Sequence, residues 1–408
     1  MFTMWKVGAG AAVLESSIWE QMKMEFLGYR RVDGRVGIRN HIAIMPTSIC
    51  SSTVAFNIAA QVPGTVALAN QQGCCQLGTD HEQTARTLIG LGKNPNVAAV
   101  LVISLGCDGI TVDQVAGTLA ATGKLVEVVV IQEAGGTLQA TAEGVHKASR
   151  IARQVAHLQR EKVGASELTL AIECGGSDFT SGLAANPATG VAADMLMTWG
   201  GTAMLAVTTE FIGAEHILAR RAKTPAVGEE ILRIVGQCEE RSRLVHGDLR
   251  SGQPTPRNIS GGITTLEEKS LGCIYRAGSK PIQGVLSYGE APGGKGLYVM
   301  DTPGQDIESI TGMLAGGAQV AIFTTGRGTP TGSPIAPVIK ITGNARTYRM
   351  MEDNIDIDAS SILSGEETAD QVGQRIFEEI IKAANGHLPK AESLRHHEFG
   401  IHKISPSF

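Results

Sequence analysis

The sequence is poor in aromatic side chains, in clustered positive charge and in long apolar runs. Aromatic residues make up 4% of the 408 positions, too few for the rows of stacking side chains that bind single-stranded nucleic acid. The formal net charge is −5 and no basic run is longer than two residues, which argues against a polyanionic partner. No apolar run approaches the roughly 20 residues of a membrane-spanning helix. We therefore expect neither nucleic acid nor a membrane as a partner.

Several motifs that would assign a chemistry are also missing. No CxxC pair occurs among the seven cysteines, and no GxGxxG turn follows the first expected strand. The Walker loop, the GxSxG elbow and the HExxH helix are absent too, so neither a nucleotide nor these hydrolytic mechanisms are indicated. An odd number of widely spaced cysteines favours reduced thiols in a cytoplasm, where they are either buried or bound to metal.

The chain instead alternates apolar runs with amphipathic stretches, and its 50 glycines cluster in short loops after the apolar runs. The run Val97–Ser104, for example, is followed by the helical pattern Thr111–Ala121. Repeated units of this kind predict a parallel sheet with right-handed crossovers. We expect an α/β protein, with a Rossmann-like parallel-sheet domain over residues 25–163 and a second, mixed α/β domain over residues 164–408.

The boundary between the two domains is expected after a long helix. Thr137–Arg160 has the pattern of that helix, Glu161–Glu167 would be the joint, and Leu168–Cys174 would be the first strand of the second domain. The polar segment His246–Gly262 is expected to be a long loop. Residues 1–24 would be an extension outside the core, with Met24 as an alternative start of translation.

Three apolar runs end in a glycine-rich loop with a cysteine: Cys74, Cys107 and Cys174. Ligands of a parallel sheet bind beyond the carboxyl ends of its strands, so these thiolates are candidate ligands of an iron–sulfur cluster or of a mononuclear iron site. Cys50 and Cys75 are alternative ligands. The competing interpretation is that such cysteines pack as small apolar side chains. Two further cysteines lie in helical patterns and are expected to be structural: Cys238 and Cys273.

Three charged residues are candidates for catalysis. Glu173 and Asp178 flank Cys174 in a glycine-rich segment, where a carboxylate can act as a ligand or as a base. Asp178 has an equally good alternative role, which is to cap the next helix. Lys269 can act as a base only if burial lowers its pKa.

Four residues are candidates for binding an anionic substrate. Arg327 stands beside flexible glycines, which suits bidentate binding of a carboxylate or a sulfonate, and Thr325 would add a hydroxyl. Asn258 precedes a glycine pair and a helix start that can face an anion. Arg39 lies in an arginine- and glycine-rich stretch before the first strand, where a purely structural turn is the alternative.

Several segments of the chain together resemble the altronate/galactarate dehydratase family. They are GYRRVDGRVGIRN, GCCQLG, ECGGSDFTSGLAANPATG, NISGGITTLEEKSLG and FTTGRGTPTGSPIAPVIKITGN. The resemblance extends from residue 28 to about residue 370. It implies a sugar-acid hydro-lyase that needs iron, as Fe²⁺ or an iron–sulfur cluster, or another divalent metal. A branch of the family, (2R)-sulfolactate sulfo-lyase, releases sulfite instead of water, and its large subunit has similar segments.

Two departures from the family pattern bear on function. The small amino-terminal domain of the full-length dehydratases is not recognisable here, so the resemblance implies a separate small subunit and a homo- or hetero-oligomer. Asn70 also stands where the dehydratases have a histidine before Gly73-Cys74. The sequence thus leaves three hypotheses: metal-assisted elimination of water from a hydroxylated sugar acid, elimination of sulfite from sulfolactate, and a non-catalytic binding subunit.

Overall fold

The computed structural model describes residues 24–244 and 246–405, and the expected extension over residues 1–24 lies, apart from Met24, outside them. The described residues form two parallel sheets and one small antiparallel sheet, with helices between the strands. The α/β class expected from the sequence is therefore confirmed. No helix in these two ranges is both long enough and apolar enough to cross a membrane.

The strands of the described residues are two to eight residues long. They are β1 Glu25–Arg30, β2 Val36–Gly37, β3 His41–Pro46, β4 Thr65–Ala67, β5 Val97–Ser104, β6 Leu125–Val130, β7 Glu161–Gly164, β8 Thr169–Cys174, β9 Thr202–Leu205, β10 Ile282–Leu286, β11 Gly296–Met300, β12 Val320–Thr324, β13 Val338–Thr342 and β14 Ile357–Asp358.

The helices range from single turns to 20 residues. They are α1 Ser52–Ala59, α2 Gly78–Lys93, α3 Val112–Ala120, α4 Thr137–Val155, α5 Asn186–Thr198, α6 Glu215–Arg220, α7 Pro225–Leu244, α8 Leu249–Gly252, α9 Pro256–Ser260, α10 Leu266–Ile274, α11 Asp306–Ala315, α12 Ala345–Met350, α13 Ser361–Ser364, α14 Ala369–Ala384 and α15 Lys390–Ser393.

The first parallel sheet has the strand order β4-β3-β5-β6. Its central strand β5 is an unbroken apolar run that is covered on both faces, as expected of a strand inside a parallel sheet. Helices α1 and α4 contribute to the core on one face, whereas α2 and α3 contribute to the core on the other. All four strands run in the same direction, so the loops after β3, β4 and β5 lie at one edge.

The second parallel sheet has seven strands in the order β10-β11-β9-β8-β12-β13-β14. Strand β8 lies in the middle and pairs with β9 and β12. Apolar side chains of α5 and α14 cover one face, and those of α11 cover the other. The loops after β8, β9 and β12 therefore open at the same edge, as required for a ligand site at the carboxyl ends of the strands.

The expected joint between the domains is partly a strand. Helix α4 ends at Val155 rather than Arg160, and β7 pairs antiparallel with β1. The helix prediction for residues 156–160 is wrong, because these residues contain no glycine or proline that would mark the end of the helix in the sequence. The segment expected as a loop over residues 246–262 contains the short helices α8 and α9.

The two parallel sheets share buried apolar contacts. Met45 and Val100 of the first sheet belong to the same buried cluster as Ala171 and Met204 of the second. The cluster is continuous because one face of each sheet and the helices α2, α3 and α11 all contribute apolar residues to it. The domain division after residue 163 stays a prediction.

A carboxy-terminal segment, residues 399–404, crosses between the two sheets. Gln71 donates a hydrogen bond to the carbonyl of Phe399 (3.0 Å), and the backbone N–H of Ile404 donates to Asp80 of helix α2 (2.7 Å). Gly400 lies beside Ile307 at the start of helix α11. The segment thus ties the first sheet to the helix that covers the second.

Candidate active site

The turn after strand β8 is built from glycines because neighbouring groups leave no room for side chains. A Cβ on Gly175 would collide with Asp306 Oδ2, and Gly176 has a φ of +61°, which favours glycine. The strand itself ends in Glu173 and Cys174, both buried. The turn therefore brings bare backbone against a carboxylate at the edge of the sheet.

Asp178 fastens this turn to its surroundings. Its Oδ1 accepts hydrogen bonds from the backbone N–H of Thr180 (2.9 Å) and Ser181 (3.2 Å), and its Oδ2 accepts one from Asn344 Nδ2 (2.8 Å). This is the capping role that the sequence left open. Both carboxylate oxygens are engaged within the protein, so the structure gives Asp178 a positioning role rather than that of a base.

Asn258 holds the same turn from the other side. Its Nδ2 donates to the carbonyl of Ser177 (2.7 Å), and its Oδ1 accepts from the backbone N–H of Thr255 (2.9 Å). The expected substrate ligand is thus part of the capping box of helix α9. Asn258 is near the site but uses its amide to fix the turn.

Three buried ligand-type side chains meet beneath the turn. The sulfur atoms of Cys174 and Cys273 and a carboxylate oxygen of Glu210 all lie within 4.8 Å of one another. Cys174 ends β8, Glu210 follows β9, and Cys273 lies on helix α10. Thiolate and carboxylate together form a donor set that suits Fe²⁺ or Zn²⁺. The chemistry of these donors therefore fits a divalent metal ion.

Two cations border these donors. Arg276 Nη1 donates to Glu210 Oε2 (2.7 Å), and Lys269 Nζ lies 3.4 Å from Glu210 Oε1. Burial raises the pKa of Glu210, but Arg276 and then Lys269 outweigh burial and hold it below its ordinary value. Glu210 is therefore a carboxylate at neutral pH, as a metal ligand must be.

Lys269 does not have the lowered pKa that it would need to act as a base. Burial lowers its pKa, but Glu210 and the thiols of Cys273 and Cys174 raise it by more, so the net shift is upward. Lys269 is thus a cation near neutral pH. Its Nζ also donates to Gln253 Oε1 (2.9 Å).

The two buried thiols differ in acidity. The hydrogen bond from Cys273 lowers the pKa of Cys174, and the same interaction, followed by burial, raises the pKa of Cys273. Ser177 Oγ lies 2.9 Å from Cys174 Sγ and stabilises the same thiolate. Cys174 is therefore the thiol that ionises first.

Three side chains lie in a row near the ends of the strands, on the face of the second sheet opposite to the Cys174 side chain. Glu173, Phe323 and Lys340 are register partners on β8, β12 and β13, so their side chains point to the same face. Lys340 Nζ lies 4.5 Å from the centre of the Phe323 ring and has no hydrogen-bond partner among the residues that the structure describes. Within the same described residues, Glu173 Oε2 also has no hydrogen-bond partner. Burial lowers the pKa of Lys340 to about 7 and raises that of Glu173 well above its ordinary value.

Asp306, the first residue of helix α11, lies between these groups and the turn. Burial, followed by the charge of Glu210, raises the pKa of Asp306 to about 7. A carboxyl group that titrates near neutral pH is suited to accept or donate a proton in catalysis. Asp306 could not be recognised from the sequence, because the segment before it, Asp301–Gln305, has the composition of an ordinary polar loop that leads into a helix.

Arg327 and Thr325 follow strand β12 and border the turn. The backbone N–H of Arg327 donates to the carbonyl of Gly176 (2.9 Å). Its side chain is exposed and forms no hydrogen bond or ion pair with the described residues. Thr325 is buried, and its Oγ1 accepts from the backbone N–H of Gly328 (3.0 Å). Arg327 is therefore available to an anion, while Thr325 shapes its loop.

Arg39 is not part of this site. Its five N–H donors are used by both oxygens of Glu392 and by the carbonyls of Ile38, Ala383 and His387. A guanidinium has no further donors. The expectation that Arg39 binds substrate is corrected to the structural alternative.

The three expected metal-binding cysteines do not come together. Cys174 is buried beside Cys273, whereas Cys74 and Cys107 are exposed at the edge of the first sheet. Their surroundings differ because Cys174 ends a strand of the other sheet. Cys273, expected to be structural, instead lies in the buried donor group.

Two residues that sequence reasoning missed carried a readable signal. Lys340 is a charge inside the apolar strand Val338–Thr342, where an uncompensated amine is costly. Arg276 follows the apolar residues Cys273 and Ile274 at the end of helix α10, and the structure buries it completely. Glu210 had no such signal, since an acid after a short strand is common.

A pocket of about 240 Å³ lies between the turn at Ser177 and helix α10, and Lys269 and Cys273 are among its lining residues. It therefore reaches Cys273 from the surface, whereas Cys174 and Glu210 do not line it.

Comparison with known proteins identifies the family. Residues 165–407 match the family model described as D-galactarate/altronate dehydratase, C-terminal, and residues 28–156 match D-galactarate dehydratase/altronate hydrolase, second domain. The chain belongs to the D-galactarate/altronate dehydratase family. The resemblance seen in its motifs is thus confirmed, and membership of this dehydratase family makes the chain a lyase.

Three relatives illustrate the range of the dehydratase family. The (2R)-sulfolactate sulfo-lyase subunit beta of Chromohalobacter salexigens is 40% identical over 94% of this chain and 98% of its own length. The altronate dehydratase of Bacillus subtilis is 33% identical over 93% of this chain and 77% of its own. The L-threo-forming galactarate dehydratase of Escherichia coli is 34% identical over 88% and 73%.

Proposed function

We propose that this chain catalyses the β-elimination of water from a hydroxylated sugar acid. Three observations support this: membership of the dehydratase family, the reactions in the names of its relatives, and the pair of groups beside the turn after β8. Of these, the placement of Asp306 and Arg327 around Gly175-Gly176 carries the mechanism.

The reaction requires a base for a weakly acidic proton. The hydrogen α to a carboxylate ionises only if the enolate-like state is stabilised electrostatically. A base whose pKa is near the working pH is the most effective acceptor. Asp306, with a pKa of about 7, meets this requirement, and we assign the removal of the α proton to it.

The substrate carboxylate needs a cation beside that base. Arg327 has an exposed guanidinium at the same turn, and a guanidinium can bind a carboxylate through two parallel hydrogen bonds. We assign it to the substrate carboxylate. As the α proton moves to Asp306, the carbon–oxygen bond at the β carbon breaks. The departing hydroxide takes this proton back from Asp306 and leaves as water, and the enol tautomerises to a 2-keto-3-deoxy acid.

A metal ion is assigned to Cys174, Glu210 and Cys273. When bound, it supplies a Lewis acid that polarises an oxygen of the substrate. Lys269 and Arg276 keep Glu210 ionised, and Ser177 stabilises the Cys174 thiolate. These neighbours hold Glu210 and Cys174 in the ionised state that a metal requires, whereas Cys273, whose pKa is raised, would have to lose its proton when the metal binds.

Elimination of sulfite from (2R)-sulfolactate is the second candidate. It is favoured by the relative at 40% identity, compared with 33% and 34% for the dehydratases. Asp306 as the base and Arg327 as the group that binds the substrate carboxylate would serve both reactions, since sulfite also leaves from the β carbon. The name of that relative, a subunit beta, supports a partner subunit here as well.

A direct assay separates these candidates. The purified chain, alone and co-expressed with any small protein that its genomic neighbourhood encodes, is supplied with ferrous iron and tested on altronate, galactarate and (2R)-sulfolactate. Formation of a keto-deoxy acid supports the dehydratase, and pyruvate with an equal amount of sulfite supports the sulfo-lyase. Tight binding of these acids without turnover in any combination would instead support the binding subunit.

A further inference from the structure

Val207, in the turn after strand β9, has a backbone conformation that its side chain disfavours. Its φ is +71° and its ψ is +75°, in the left-handed region where the Cβ of an L-residue comes close to the following carbonyl oxygen. A residue branched at Cβ is a genuine outlier there. Cys75, His246 and Arg395 are the other non-glycine residues of the described ranges with a positive φ, and none of them is branched at Cβ. Strain of this kind persists only where the surroundings impose it, and it is common at active sites.

Thr302, in the loop after strand β11, imposes this conformation. Its Oγ1 accepts a hydrogen bond from the backbone N–H of Val207 (2.8 Å), and its carbonyl oxygen accepts one from the backbone N–H of Thr208 (3.1 Å). These two N–H groups lie on either side of the Cα of Val207, so Thr302 fixes both backbone dihedral angles of Val207. Strands β9 and β11 are neighbours in the sheet, which brings the two loops side by side.

Thr302 is in turn connected to helix α11, which begins with Asp306. Its Oγ1 lies 2.9 Å from Ser309 Oγ, within hydrogen-bond distance, and both side chains are buried. The preceding residue, Asp301, accepts a hydrogen bond from Thr208 Oγ1 (2.6 Å). Buried polar groups that are satisfied in this way rigidify the segments that carry them. The turn after β9 is therefore fixed to the helix that carries the proposed base.

The conformation of Val207 brings two groups of the same chain segment to one guanidinium. Arg276 Nη2 donates to the carbonyl of Ala206 (2.9 Å), and its Nη1 donates to Glu210 Oε2 (2.7 Å). Ala206 lies before Val207 and Glu210 lies after it, so the chain has to turn at Val207 for both to reach the guanidinium. The backbone N–H of Glu210 also donates to the carbonyl of Val207 (2.9 Å). The direction of the Glu210 carboxylate thus depends on the left-handed conformation.

We propose that Thr302 is a positioning residue, which acts through Val207 to direct the carboxylate of Glu210. Its hydroxyl stabilises the left-handed conformation of Val207, and that conformation holds Glu210 beside Cys174 and Cys273. This role rests on the proposed function, in which these three side chains bind a metal ion. Outer groups that orient metal ligands strongly affect metal affinity. Thr302 itself is not one of the donors.

Cobalt binding measures the position of Glu210 without turnover. The full chain is purified without oxygen and titrated with Co²⁺, and the thiolate-to-cobalt absorption that Cys174→Ser removes reports the buried donors. Thr302→Ala should weaken this binding by about 10- to 100-fold, whereas Thr302→Ser keeps the hydroxyl and should bind Co²⁺ as the wild type does. The control is Thr189→Ala, which should leave binding unchanged. It removes a buried hydroxyl of helix α5 that has no hydrogen-bond partner among the described residues.

Urea denaturation of the metal-free chain measures the contact between Thr302 and Val207 by itself. Glycine adopts a positive φ without the strain of valine, so in a Val207→Gly background less is lost when the hydroxyl is removed. Thr302→Ala should therefore lower the urea midpoint less in that background than in the wild type, a coupling that a double-mutant cycle measures. Equal shifts in both backgrounds would mean that Thr302 does not hold Val207, and would overturn the proposal.

The cobalt titration separates a failure of this role from a failure of the proposed function. If Cys174→Ser leaves the cobalt absorption unchanged, the metal assignment is wrong, and the role of Thr302 in directing a metal ligand falls with it. If Cys174→Ser removes the absorption but Thr302→Ala binds Co²⁺ as tightly as the wild type, the metal assignment stands and only the role of Thr302 is overturned. An equal loss of affinity in Thr302→Ser and Thr302→Ala would overturn that role as well.

Discussion

Arg276 donates a hydrogen bond of 2.7 Å to Glu210, and both side chains are buried. A buried ion pair is worth little compared with apolar residues, but the loss of one partner leaves an unpaired buried charge. We therefore expect Arg276→Leu to lower the free energy of unfolding by about 3–5 kcal/mol. Urea denaturation of the metal-free chain measures this.

Two further variants make the ion-pair prediction specific. The double variant Arg276→Leu with Glu210→Leu should recover part of the loss, because it removes both charges. Arg233→Leu breaks an exposed pair with Glu230, for which a change of at most about 1 kcal/mol is expected. Equal effects in Arg276→Leu and Arg233→Leu would contradict the prediction.

Asp306 gives the reaction its pH dependence. As a base it must be deprotonated, so kcat/KM should rise with pH through the pKa of about 7 and then level off. Asp306→Asn should lower kcat by about 10²- to 10⁴-fold. The matched control is Asp353→Asn, at an exposed carboxylate, which should leave kcat and the pH profile unchanged. An unaltered profile in Asp306→Asn would remove Asp306 from this role.

Arg327 should control the affinity for the acid substrate. Charge-assisted hydrogen bonds contribute about 1.5–3 kcal/mol, so Arg327→Met should lower kcat/KM by about 10- to 100-fold. Arg327→Lys keeps the charge but not the two-pronged geometry and should recover only part of this loss. Arg349→Met removes another exposed arginine and serves as the control. A loss of the same size in both methionine variants would point to net charge instead.

Lys340 should make the stability of the fold depend on pH. Its pKa is about 7 in the folded chain, compared with an ordinary value of 10.5. Between pH 7 and pH 10.5 the amine is therefore protonated in the unfolded state and neutral in the folded state. Stability should therefore rise with pH across this window and be lowest below about pH 7.

The substitution Lys340→Met tests the effect of this amine. It should raise the free energy of unfolding at pH 6 to 7 by an amount on the order of 4 kcal/mol, with a gain that shrinks toward pH 10.5. Urea denaturation at several pH values measures the difference. Lys382→Met, at an exposed lysine of helix α14, is the comparison, and parallel curves for wild type and Lys340→Met would refute the assignment.

The fold could be predicted from the sequence where the local pattern was long and unambiguous. The apolar run Val97–Ser104 forms a strand with the expected bounds. The pattern fails for Glu161–Gly164, a four-residue strand that owes its conformation to pairing with Glu25–Arg30. A contact so distant in sequence leaves no periodic signal in either segment.

The site could be predicted only in part, for a related reason. Glycine and cysteine at strand ends drew attention to the turn after Cys174, and Arg327 lies beside that turn. The partners of Cys174, however, are Glu210 and Cys273, which come from other elements of the chain. Their roles depend on which strands lie next to β8, and strand order is not encoded in local composition.

The segment of residues 399–404 has a consequence for synthesis on the ribosome. Helix α2 and the loops after β3, β4 and β5 emerge early, but Asp80 and Gln71 obtain their partners Ile404 and Phe399 only near the end of translation. The start of helix α11, with Asp306, is covered by Gly400 at the same late moment. A nascent chain halted before residue 399 therefore contains every catalytic side chain without the segment that joins the two sheets.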